Sequence, residues 1–274
     1  MIKIIDVDEL FDKYISDFVY QNIGKIKPEE IENQIPKLYV EFGDKALDEL
    51  DGLTPNTYYK KFEIAELLKC LKAHIEGGVS VSDFLCEAIT ENKENESFLI
   101  KALDDKDEEF TLYLMNMLVD MGSKGCADRF LEFILWDYSS PIKELATEHL
   151  KEISSVVKAQ ILSQFNDSDE SVKEYLSEIL STCEKEDKVF DILINQFVKN
   201  PKQIPIYAGY LSKYGDQRAL PFLMTQIERE DISYADFEEL RFAIEALGGE
   251  YNKIRDFKKD TTYKKIKTRN TEKH

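Results

Sequence analysis

The chain has 274 residues, with 36 Lys and Arg against 54 Asp and Glu, a formal net charge of −18. A hydrophobic fraction of 43% supplies a sizeable core and excludes wholesale disorder. No apolar run approaches the roughly 18 residues of a membrane span, and so acidic a chain is a poor general binder of nucleic-acid phosphates.

The start, Met1-Ile-Lys-Ile-Ile-Asp-Val-Asp8, turns acidic too soon for a secretory apolar region, so a cytoplasmic protein is expected. Helix signals follow throughout, and no alternation of apolar and polar residues predicts a strand. A helix is predicted over Val7 to Gln21, with Leu10, Phe11, Tyr14, Ile15 and Phe18 on one face. Proline-interrupted helices are predicted from Pro28 to Leu50, and residues 1–57 are read as an N-terminal helical cap. Gly77-Gly78, Gly122, Gly215 and Gly248-Gly249 each end an apolar-periodic stretch, where a helix-terminating glycine belongs. Pro28, Pro141 and Pro221 sit where a first helical turn starts. Cys70, Cys86, Cys126 and Cys183 form no CxxC pair, as expected of buried reduced thiols rather than a disulfide framework or a zinc site.

An internal repeat organises the rest. Segments starting at Phe98, Phe130, Gln160, Ile192 and Phe222 align, at intervals of 32, 30, 32 and 30 residues. Their second position is aliphatic (Leu99, Leu131, Ile161, Leu193, Leu223) and their sixth large and apolar (Leu103, Leu135, Phe165, Phe197, Ile227). Each segment leads through a polar turn to a second helix, whose buried stripe is predicted from three further positions. These are Phe110, Ile142, Val172 and Ile204; then Leu114, Ala146, Leu176 and Ala208; then Met117, His149, Ile179 and Leu211. The fifth unit places its second helix near Phe237, Leu240, Ile244 and Leu247, and a weaker unit starts at Glu66 and continues through Phe84, Leu85, Ala88 and Ile89. The turns Asp104–Asp107 and Asn166–Asp169 supply capping side chains. Calcium binding is the alternative reading there, but the spacing lacks the glycine and distal glutamate of an EF-hand loop.

Tyr214-Gly-Asp-Gln-Arg-Ala-Leu-Pro-Phe-Leu223 and Asn166-Asp-Ser-Asp-Glu-Ser-Val-Lys173 resemble the HEAT-repeat superfamily, in its HEAT-like repeats of the phycobilisome-lyase type. Pro141-Ile-Lys143 and Asp120-Met-Gly122 are fainter copies, and the resemblance covers about residues 96–250, with an extension to 58. It implies an all-α fold, a right-handed α-α superhelix of the HEAT/armadillo-like solenoid kind over residues 58–250, with second helices lining the concave face. It also implies a non-catalytic scaffold that binds a protein or peptide.

Opposite the predicted stripe lie Leu112, Glu144, Glu174 and Ile206, and four residues further Asn116, Glu148, Glu178 and Tyr210. A concave acidic patch of Glu144, Glu148, Glu174 and Glu178 is therefore expected, with Leu112, Met115, Ile206 and Tyr210 as apolar margins. Such a patch suits a basic or amphipathic partner segment. The alternative is an ordinary solvated face of an acidic protein. Tyr113, Tyr175 and Tyr207 recur beside the stripe, where rings packed at the core edge with hydroxyls in water are expected. Trp136 is read as inter-repeat packing rather than as a ligand platform.

Neither His74 nor His149 completes a Glu-x-x-His pair, and no phosphate loop or nucleophile elbow is present. No cofactor, metal or catalytic residue is expected. A DNA glycosylase-type HEAT-like enzyme would need Lys/Arg rows where these glutamates stand, and a chromophore-lyase-like subunit has no dedicated cysteine to support it. Neither a nucleic acid nor a membrane is expected as partner. Residues 251–274 carry nine basic and three acidic residues, a net of +6, against −24 for the other 250. The tail is expected to dock around Ile254 and Phe257 and then run on as a disordered basic end. The sharper alternative has it folding back on the acidic face or bridging to a neighbouring molecule.

Overall fold

Apolar residues at helical spacing, with proline at the starts and glycine past the ends, fold as helices. The computed structural model describes residues 2–24 and 27–265, and among these no strand occurs beyond one isolated bridge between Leu47 and Leu53. The chain divides into two units, residues 1–129 and 130–274.

The first unit contains α1 (Val7–Asn22), α2 (Pro28–Glu32), α3 (Ile35–Gly43), α4 (Pro55–Tyr58), α5 (Ile64–Gly77), α6 (Asp83–Thr90), α7 (Glu96–Ala102) and α8 (Glu108–Asp120). Phe11 of α1 packs on Tyr39 and Phe42 of α3, and Tyr39 stacks on Phe84 of α6, at ring separations of 4.9, 5.2 and 5.1 Å. The aromatic face predicted for the first helix thus joins it to α3. The arm ahead of α1 is also tied down. The buried His74 ring of α5 meets the Ile5 carbonyl at 3.2 Å, and Lys3 pairs with Asp51 at 2.6 Å. Helix α8 is capped as its sequence implies, with Asp107 Oδ1 accepting from the Phe110 amide at 2.9 Å.

Helix α9 (Ala127–Leu135) spans the division. The second unit continues with α10 (Ser140–Glu152), α11 (Ser154–Gln164), α12 (Glu170–Leu180), α13 (Asp187–Lys199), α14 (Ile204–Tyr214), α15 (Leu220–Ile227) and α16 (Tyr234–Ala246). Every aligned segment falls on an odd-numbered helix from α7 to α15, and every second stretch on the even-numbered helix after it. Helix α10 lies against α12, α12 against α14 and α14 against α16, while α11, α13 and α15 pack beside them. The stripe residues predicted for the second helices are buried, save the half-buried Ala88 of the weaker unit, and Leu114, Ala146, Leu176, Ala208, Leu240 and Ile244 are wholly so. Burying one leucine side chain is worth roughly 1.5–3 kcal/mol, so this stripe is a principal stabilising feature of the unit.

The link that carries the Gly-Asp-Gln-Arg motif forms a clamp. Gly215 ends α14 at φ 73°, a left-handed conformation that side chains with a Cβ resist. The backbone then places Asp216 to accept three hydrogen bonds from the Arg218 guanidinium, at 2.7 to 3.1 Å. Arg218 reaches back to Asp187 at 2.8 Å and lies 4.2 Å from the Phe190 ring centre. Tyr214 hydroxyl accepts from the Glu186 amide (2.6 Å) and donates to its carbonyl (3.1 Å), and Lys185 donates to the Gly215 carbonyl at 2.6 Å. Both ends of α13's entry are thereby pinned to the turn after α14.

The C-terminal segment docks on the last helical pair. Phe257 packs on Phe237 (5.0 Å) and Tyr234 (5.3 Å), and Tyr251 packs on Phe237 (5.7 Å). Arg255 donates to the Ile227 carbonyl at 2.7 Å, and Lys253 pairs with Glu228 at 2.5 Å. Ile254, expected as an anchor, is 99% exposed. Tyr251, Arg255 and Phe257 hold the segment instead, through the ring contacts on Phe237 and Tyr234 and the bond to the Ile227 carbonyl. The expected basic end from residue 266 onward, with Lys267, Arg269 and Lys273, lies outside the described residues.

Replacing Leu176 with Ala is expected to cost about 2–5 kcal/mol in urea unfolding, since it empties a wholly buried site between α10 and α14. Arg218 holds the Asp216 carboxyl below the usual aspartate range through their hydrogen bonds. The stability this contributes is fully present above the ordinary value near 3.9 and is lost as pH falls through the lower folded value. Asp216→Asn should therefore weaken the protein more at pH 5 than at pH 3. A gap in urea midpoint that stays constant across that range would refute this.

Candidate functional site

The residues predicted opposite the stripe fall on three helices of the second unit, plus Leu112 on α8 of the first. Glu144 and Glu148 are exposed on α10, as predicted. Glu174 and Glu178 are half-buried on α12, contrary to the expectation of a uniformly exposed face. The cause lies on the neighbouring helices, which reach over them.

Lys151, at the end of α10, donates to Glu148 Oε1 at 2.6 Å and to Glu178 Oε1 at 2.7 Å. Its side chain is only 13% exposed, against 67% for Glu148 and 28% for Glu178. Burial disfavours its charge, yet the two carboxylates outweigh burial and leave its pKa raised. On the other side, Tyr210 of α14 donates to Glu178 Oε2 at 3.4 Å, and Gln203 at the start of α14 donates to Glu174 Oε2 at 2.7 Å. Burial, then the negative charge of Glu178, pushes the Tyr210 hydroxyl well above the usual tyrosine range. Tyr210 meets Tyr207 edge to face, with ring centres 5.7 Å apart.

Glu148, Lys151, Glu178 and Tyr210 thus form one hydrogen-bonded row across α10, α12 and α14, with Glu174 and Gln203 beside it. Ile206 lies at the exposed edge of α14. Leu112 is half-buried on α8, but Met115, expected as a margin, is wholly buried. It sits one position from Leu114 and shares its core environment. Tyr113 and Tyr175 are half-buried as expected for core-edge rings, whereas Tyr207 is buried outright. Burial, then the charges of Glu174 and Glu170, pushes the Tyr207 hydroxyl up to about 12.

Lys151 and Gln203 were not among the predicted site residues. The spacing Glu148-x-x-Lys151 announces an ion pair on one helix. The bond from Lys151 to Glu178 joins residues 27 apart and needs the packed pair α10 and α12. No group of three or more His, Cys, Asp or Glu that could hold a metal ion occurs among the described residues, and no helix among them is long and apolar enough to cross a membrane. The buried Cys70 thiol is pushed up to about 11 by desolvation, which makes it a poor nucleophile at neutral pH. The arrangement gathers carboxylates, a ring edge and an apolar margin on one face.

Replacing Lys151 with Met keeps the stem and removes the charge, leaving Glu148 and Glu178 facing one another. A loss of about 1–3 kcal/mol in urea unfolding is expected. Adding Glu178→Gln should restore part of that loss; a double variant no more stable than Lys151→Met would show that Lys151 does not act by offsetting repulsion between the two carboxylates. Comparison of the chain with family models, with curated proteins and with solved structures finds no match.

Proposed function

We propose that the protein is a HEAT-like repeat scaffold, a right-handed helical solenoid over residues 58–250 capped by residues 1–57. In this reading it binds a basic or amphipathic protein segment through its second-helix face and performs no catalysis. The observation that carries the reading is the row of second helices packed side by side, whose outward positions hold Glu144 and Glu148 exposed at one end and Ile206 and Tyr210 at the other.

Three features favour a binding face over a merely solvated one. Glu144 and Glu148 lie one turn apart on α10, a like-charge spacing that costs a few tenths of a kcal/mol, and Glu144 lies outside the Lys151 row that offsets Glu148. Glu174 and Glu178 are held in fixed positions by Gln203, Lys151 and Tyr210, so little side-chain entropy remains to be lost on binding. The face also combines charge with an exposed aliphatic edge at Ile206, the mixture that gives a partner helix both steering and a desolvated anchor. A cytoplasmic setting suits the reading, with reduced thiols at Cys70, Cys126 and Cys183.

The test reverses charge at Glu144, which lies outside the Lys151 row. Glu144→Lys and Ile206→Glu variants are compared with wild type by affinity capture from native lysate. The variants should lose a shared set of partners while keeping the wild-type unfolding midpoint within about 1 kcal/mol. An unchanged set of captured proteins would remove this face from the function.

A further inference from the structure

The chain has one tryptophan, and the structure leaves it in the open: Trp136, just past the end of α9, is 68% exposed. This overturns the expectation that it fills a gap between repeats. Phe133 and Phe130, about one and two turns earlier, are wholly buried instead. Tryptophan, with an apolar ring and a polar N–H, is enriched at contact surfaces.

The ring borders a cleft of about 270 Å³, shared with the turn between α11 and α12. Leu135 and Val172 line the cleft with apolar surface, and Asp167 and Asp169 line it with carboxylates. The two acids are not used up by the turn. Asp169 stands at the cap position of α12, yet its side chain makes no capping hydrogen bond. The turn is closed instead by Ser168, whose hydroxyl donates to the Gln164 carbonyl at 3.0 Å. Asp137, beside the tryptophan, is exposed as well.

We propose that this cleft is a receptor for an arginine side chain of a partner peptide, distinct from the α10–α12–α14 face. The chemistry of the lining selects that group. An indole face attracts a cation through its quadrupole, and a planar guanidinium stacks on it better than an ammonium does. Carboxylates beside the ring accept the guanidinium's forked N–H donors, and the apolar wall covers the arginine's methylene stem. An anionic or a neutral apolar ligand would leave Asp167 and Asp169 uncompensated. The cleft lies at the turn edge of the helical pairs, so a peptide engaging it and the second-helix face together would bind in two places, although neither site requires the other.

Trp136 is its own reporter, because no other tryptophan contributes to the emission. A short Gly/Ser peptide carrying two arginines is titrated into the full chain at low salt, beside versions with lysine or citrulline in place of arginine. Trp136 emission should change saturably with the arginine peptide, more weakly with lysine and not with citrulline. Asp167→Asn/Asp169→Asn should weaken that response about fivefold or more. Asp12→Asn/Asp17→Asn, which removes the same charge from exposed positions of α1, should leave it within about twofold. Trp136→Leu, followed by anisotropy of a labelled peptide, should show a loss similar to that of the aspartate pair. Equal weakening by the two charge-removing pairs would mean general attraction to an acidic protein and would overturn the proposal. Anisotropy binding without an emission change would overturn it too, while leaving the second-helix face as the peptide site.

Discussion

The stripe of small and large apolar residues on the second helices is the constraint from which the second unit is built. Ala146, Leu176, Ala208 and Leu240 stand at equivalent places on α10, α12, α14 and α16, and all are wholly buried. No helical pair can cover this stripe with its own first helix alone, so each pair takes its cover from the next. Alternating a methyl group with an isobutyl group lets neighbouring helices approach closely without leaving a void, since interaxial distance follows the side chains at the contact. The order α10, α12, α14, α16 follows from that requirement.

Once the helices are packed in that order, polar groups decide register. Tyr214, Asp216 and Arg218 hold the turn after α14 against the start of α13, and Lys151 holds the end of α10 against the last turn of α12. These contacts sit at partly exposed positions, where each contributes modestly to stability. Their geometry is nonetheless specific, because a shift of one helical turn would leave Lys151 buried without Glu178 and Arg218 stacked on no ring. The same contacts change what the surface offers. Three of the four glutamates that look like free charge in the sequence are bonded to neighbouring side chains, Glu174 and Glu178 half-buried and Glu148 still exposed, and Glu144 lies outside that row.

Much of this was legible beforehand. Leu99 to Ile227 repeat at intervals of 30 to 32 residues, and the helices appear where that register puts them. Phe110, Leu114 and Met117, with their counterparts, are buried as a 3.6-residue period requires. Met115 and Tyr207 were misread because they lie beside the stripe, where the helical angle alone does not say how far a neighbouring helix reaches around. Trp136 was misread for a related reason. A tryptophan following an apolar helix ordinarily belongs to the core, and only the path of the chain past Leu135 turns it out to water.

Local sequence by itself determined the helices, their ends and their buried faces, because backbone conformation, capping and apolar periodicity act over one to four residues. The charge of −18 was equally plain, but its placement was not. Tertiary structure alone decided which carboxylates are neutralised by Lys151 or held by Gln203 and Tyr210, which ring stays exposed, and that Tyr251 and Phe257 rather than Ile254 anchor the C-terminal segment. Those outcomes depend on contacts between residues far apart along the chain, whose distances are set by helix packing and not by spacing in the sequence.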